Sequence, residues 1–147
     1  MNKNIIVISI ILIIIIFSVS FSINLDEKEK SSDVSFHVTL ANPELYSNDV
    51  YSHKFSIDAG TYFFRFVPNG SSPELLSIKL IGQNYKFEEN FILIGIPHES
   101  ETVKYFTWKY EGNEKIIIDS SQEITIIINP NGNVSGSVSV DLIKKKA

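Results

Sequence analysis

From residue 33 onward, apolar and polar side chains alternate with a period of two, and Gly, Pro, Asn, Asp or Ser interrupts the pattern at short intervals. Neighbouring side chains of an extended strand leave on opposite faces, so this pattern suits half-buried strands rather than helices. Val34, Phe36, Val38 and Leu40 alternate before Ala41-Asn42-Pro43, and Tyr51, His53, Phe55 and Ile57 alternate before Asp58-Ala59-Gly60. In residues 61–67, Tyr62, Phe64 and Phe66 share one face and Phe63, Arg65 and Val67 the other, until Pro68-Asn69-Gly70 turns the chain. The two segments around Gly60 read as a hairpin. Residues 75–81, 91–94, 102–110, 115–118, 123–129 and 134–143 supply six further strands. The spacing predicts an all-β antiparallel β-sandwich, jelly-roll or immunoglobulin-like, of about eight or nine strands. Beyond the N-terminal segment no stretch repeats apolar residues at helical spacing, so almost no helix is expected there.

Ahead of that pattern, residues 5–17 are apolar except for Ser9, preceded by Met1-Asn2-Lys3-Asn4 and followed by Ser18-Val19-Ser20-Phe21-Ser22. A basic start, an apolar centre and a small-residue exit make a signal peptide. Read to Ile23, the same stretch approaches the ~20 residues an apolar helix needs to cross a bilayer, which makes an uncleaved membrane anchor the rival. With Lys3 inside, either reading exports the remainder. The expected organisation is a signal peptide or transmembrane anchor over residues 1–23, a charged linker over 24–32 and a β-sandwich over 33–147. The expected location is extracytoplasmic, secreted or held on the outer face of the membrane.

The formal charge of −4 and the lack of a basic stripe argue against a nucleic-acid partner. With no cysteine, disulfides, blue-copper sites, iron–sulfur clusters and thiolate zinc sites are all excluded. The three histidines, His37, His53 and His98, do not fall into a metal-binding spacing, although His37 and His53 would meet if their strands were neighbours. No metal and no cofactor are expected. No nucleophile elbow is legible, and Glu88 and Glu89 would point to opposite sides of an extended strand, so no catalytic residue is assigned.

Binding candidates are more readable. Arg65, the only arginine, sits mid-strand, where it needs a carboxylate partner or grips a ligand anion. Phe106, Trp108 and Tyr110 share one strand face, which is expected to be core, with the indole buried and hydrogen-bonded. Tyr105 and Lys109 fall on the opposite, outward face. Tyr85, in the Gln83-Asn84-Tyr85 loop, completes the ligand-binding candidates Arg65, Tyr85, Tyr105 and Lys109. Two sequons, Asn69-Gly70-Ser71 and Asn133-Val134-Ser135, lie at Pro-Asn-Gly turns and make Asn69 and Asn133 candidates for glycosylation.

The run Phe55-x-Ile57-x-Ala59-Gly60-x-Tyr62-x-Phe64, with Gly136-x-Val138-x-Val140 near the end, resembles extracytoplasmic β-sandwich accessory domains of the pre-peptidase C-terminal and GOLD type. The aspartate-rich calcium loops that some of those domains carry are missing. The resemblance implies a noncatalytic binding or interaction module of the cell envelope, engaging a protein or a polysaccharide. A structural surface-layer subunit and a small secreted hydrolase are the other functional classes considered.

Overall fold

The computed structural model describes residues 33–146. The expected signal peptide or anchor and the charged linker both lie outside the described residues. Nine strands follow in order: β1 (Val34–Leu40), β2 (Tyr51–Ile57), β3 (Gly60–Pro68), β4 (Leu75–Ile81), β5 (Lys86–Glu99), β6 (Lys104–Glu111), β7 (Lys115–Ile118), β8 (Gln122–Asn129) and β9 (Val138–Lys144). Among the described residues the only helix is a 3₁₀ turn, Pro43–Leu45, capped by the Asn42 side chain accepting from the Glu44 N–H.

The strands form two antiparallel sheets, ordered β1-β9-β3-β7 and β2-β8-β4-β5-β6. Pairing is nested: β1 with β9, β2 with β8, β3 with β7 and β4 with β5. Rolling that long ribbon over on itself adds the β3–β9 and β4–β8 pairs and gives the jelly-roll order, with β6 as an extra strand at one edge. An immunoglobulin-type sandwich pairs its first two strands within one sheet. Here β1 and β2 belong to different sheets.

That arrangement corrects the hairpin expected around Gly60. The strands on either side of it belong to opposite sheets, so Asp58-Ala59 is an arch across the sandwich, entered at Gly60 with φ 155°. Period-two alternation places side chains on faces but carries no information on which strands pair.

Between the sheets the inner rows close one core: Phe36, Val38 and Leu40; Tyr62 and Phe64; Leu76, Ile78 and Leu80; Ile124, Ile126 and Ile128; and Val138, Val140 and Leu142. Phe91 joins them, fully buried and edge-on to Phe64 with ring centroids 5.6 Å apart. On the open side between edge strands β1 and β2, Phe36 stacks on Phe55 at 5.0 Å and reaches Tyr51 and His53. Each of these side chains removes apolar surface from water, worth roughly 1.5–3 kcal/mol when a large residue is fully buried.

The registers define two poles. Asp33 bonds to the Lys144 N–H at one end, together with the β2–β3, β4–β5 and β7–β8 connections. At the far end lie the β3–β4 and β8–β9 loops and the distal half of the β5–β6 hairpin, which runs beyond the last β4–β5 partner pair, Leu75 and Ile92.

Candidate functional site

The far pole carries the densest exposed apolar surface. Outside the sandwich, β5 pairs only with β6, so both faces of the ribbon meet solvent. Its outer face bears Ile92, Ile94, Ile96 and His98 on β5, opposite Glu111, Lys109, Thr107 and Tyr105 on β6. Ile92 is 56% exposed and Tyr105 52%. His98 stacks on Tyr105 with centroids 4.9 Å apart and planes 12° from parallel, and its Nε2 lies 2.8 Å from the Thr107 hydroxyl. Lys109 pairs with Glu111 at 2.6 Å, and Lys104 with Glu99 at 2.7 Å. Tyr105 and Lys109 thus share one solvent-facing surface beside an isoleucine row.

The inner face corrects the expectation of a buried tryptophan. Tyr110 is core, its hydroxyl donating to the Pro73 carbonyl at 2.6 Å, and burial pushes its pKa up. Phe106 is 57% exposed and Trp108 37%, and the indole N–H donates no hydrogen bond among the described residues. The core ends at Tyr110 because β5 and β6 outrun the opposing sheet. Trp108 instead lies over its cross-strand partner Gly95: a methyl placed there would sit 3.0 Å from the ring. The indole's other edge meets Gly70 of the β3–β4 loop, where a methyl would lie 3.4 Å away. Sequence alternation put these aromatics on the right face; only the strand lengths decide where that face stops being covered.

The two sequons sit side by side at this pole. The Asn69 side-chain oxygen accepts from the Ser71 N–H at 2.8 Å and the Ser71 hydroxyl at 2.6 Å, and its amide nitrogen makes no bond among the described residues. The Asn133 amide nitrogen donates to the Ser71 carbonyl at 3.2 Å, and a methyl placed on Gly136 would meet it at 2.6 Å. Buried Ser72 ties the loops together, accepting from the Asn69 N–H and donating to the Ser137 carbonyl.

Arg65 lies elsewhere, on the outer face of the four-stranded sheet. Its Nε and Nη2 donate to one oxygen of Asp141 at 2.9 and 2.7 Å, and His37 Nδ1 meets the other oxygen at 2.5 Å. The three side chains stand in register across β1, β9 and β3. Burial by itself raises the Asp141 pKa, but the hydrogen bonds from His37 and Arg65 and the charge of Arg65 outweigh it and hold the carboxyl below its ordinary value. Arg65 is therefore occupied by an internal partner. His37 and His53 do not meet: His37 faces outward on β1, while His53 lies on the inner row of β2 in the other sheet. No group of three metal-ligating side chains converges among the described residues.

Tyr85 lies at the opposite pole, half-buried in a polar depression of 160 Å³ with Asn84, Asp119 and Gln122. Burial, and secondarily Asp119, raises its pKa. An adjoining open depression of 430 Å³ contains one carboxylate, Glu123, already paired with Lys54. Neither brings two free carboxylates or a histidine together. Glu88 is spent on Lys79 at 2.7 Å, while Glu89 occupies the inner row opposite Ile78. Of the four candidate ligand residues, Tyr105 and Lys109 share the outer face of the hairpin, Lys109 also borders an open depression with Arg65, Trp108 and Glu114, and Tyr85 lies apart from all three.

By fold the chain is an all-β jelly-roll sandwich. No family model, curated protein or solved structure matches it. Among the described residues no helix is long and apolar enough to cross a membrane.

Proposed function

We propose that this protein is a noncatalytic extracytoplasmic binding module of the cell envelope, which engages a protein or polysaccharide partner through the outer face of the β5–β6 hairpin. The observation that carries this reading is the outer-face row of exposed Ile92 and half-buried Ile94 and Ile96, flanked by exposed Tyr105, Thr107 and Lys109. Apolar area bordered by an aromatic and a cation is the composition of interface hot spots. The hairpin projects from the pole opposite Asp33. The N-terminal sequence supports export.

The test uses the full-length chain, solubilised in mild detergent and immobilised, with envelope extract and a panel of soluble glycans passed over it. A defined partner should be retained, and Tyr105→Ala with Lys109→Glu should lower its affinity about tenfold or more, as loss of interface anchors does. Both side chains are exposed, so thermal stability should move by less than about 0.5 kcal/mol. Retention that the double variant leaves unchanged would remove the hairpin from this role.

The free outer edge of β6 favours a second reading, a surface-layer subunit that adds a neighbour's strand there. Sedimentation that stays monomeric as concentration rises would dismiss it.

A further inference from the structure

Phe106 and Trp108 leave a large aromatic surface uncovered on the inner face of the hairpin, and Gly70, the residue after Asn69, lies beside the indole. We propose that this surface is a carbohydrate platform for the chain's own glycan, carried on Asn69, which folds back over Trp108. The inference rests on the export reading above, because N-linked sugars are added to exported chains.

Three observations converge. First, the six-membered ring of Trp108 lies beside Gly95, while 37% of the residue's surface is open to solvent. A pyranose carries axial C–H groups that pack on aromatic surface, and Phe106, with its centroid 6.1 Å from that of Trp108 and its plane 30° away, extends the surface by a second ring. Second, Gly70 follows Asn69 directly in the chain, and a methyl placed on it would lie 3.4 Å from the indole on the side of Nε1. A sugar on Asn69 therefore starts within one residue of the ring, and its tethering raises the local concentration far above that of a free glycan. The indole N–H, without a partner among the described residues, faces a ligand rich in acceptor oxygens.

Third, the folded loops treat the two sequons differently. Asn69 is exposed; its oxygen is held by Ser71 and its nitrogen is free. Asn133 is exposed too, but its nitrogen already donates to the Ser71 carbonyl at 3.2 Å, so a glycan there would leave it a single N–H, committed to that bond. The folded state thus accommodates a sugar on Asn69 without rearrangement. Covering the inner face leaves the outer face, with Tyr105 and Lys109, as the surface open to a partner.

Trp108 is the only tryptophan in the chain, so its fluorescence reports this site alone. The experiment expresses the full-length chain in a glycosylating eukaryotic host and maps both sequons by peptide mass. Acrylamide quenching of Trp108 is then compared before and after enzymatic deglycosylation, and in Asn69→Gln and Asn133→Gln. Asn69 should carry the glycan, and quenching should rise about twofold when the sugar is removed, since the six-membered ring stays beside Gly95 throughout. Asn69→Gln should match the deglycosylated protein, and Asn133→Gln the untreated one. An exported chain with Asn69 bare, or quenching indifferent to an Asn69 glycan, overturns the inference and leaves the binding reading standing. A chain that is not exported overturns the export reading and this inference with it.

Discussion

At Asp141 one buried carboxylate organises three strands. It is 3% exposed, yet it accepts from Arg65 on one side and His37 on the other, so the cost of burying a charge is offset by charge-assisted bonds on both oxygens. Both partners are more than half exposed, which weakens each bond through solvent screening. Asp141→Asn should therefore cost about 1–2 kcal/mol at neutral pH, read from urea unfolding midpoints. Because the native carboxyl is held below its ordinary value, unfolding takes up a proton as the solution is acidified. The stabilisation is fully present above the unfolded value and is lost as pH falls through the native one. Wild type should show that acid loss and Asp141→Asn should flatten it; an unchanged acid limb would show that other carboxylates dominate. The need for a partner to Arg65 was legible in the sequence, but the identity of Asp141, 76 residues away, was not.

The β5–β6 hairpin shows how an element acquires properties its pattern does not announce. Only residues 91–94 read as strand in the first arm, whereas the strand spans Lys86–Glu99, because β4 pairs with its first half and β6 with its second. Pairing partners, rather than local propensity, carry Pro97 and Gly95 into the ladder. Gly95 is required by its cross-strand neighbour, since an added Cβ would press on the Trp108 ring at 3.0 Å. Gly95→Val should lift the indole into solvent, red-shifting its emission. Global stability should change by less than about 1 kcal/mol, since this part of the hairpin projects past the core. An emission maximum that does not move would mean that the ring is not seated on Gly95.

Across the whole molecule, nested pairing makes the last strand indispensable. β9 lies between β1 and β3 and contributes Val138, Val140 and Leu142 to the core, so it completes a sheet whose first strand was made about a hundred residues earlier. Ending the chain at Ser137 should abolish the cooperative unfolding transition seen by circular dichroism, since β1 loses its sheet partner and the core loses one of its rows. A truncated chain with a sharp transition would contradict the central place given to β9.

The sequence by itself determined the strands, their inward faces and the absence of thiolate and disulfide chemistry, because these follow from local periodicity and residue type. Leu75–Ile81 and Lys115–Ile118 have the limits expected of them. Tertiary structure alone decided that Gly60 arches between sheets, that His37 lies on the outer face of one sheet and His53 on the inner row of the other, and that Trp108 lies beside glycine in the open. The reason is that a strand's pattern fixes which side chains share a face, whereas the neighbour across the ladder, and whether an opposing sheet extends far enough to cover that face, are set by pairings between residues distant in the chain.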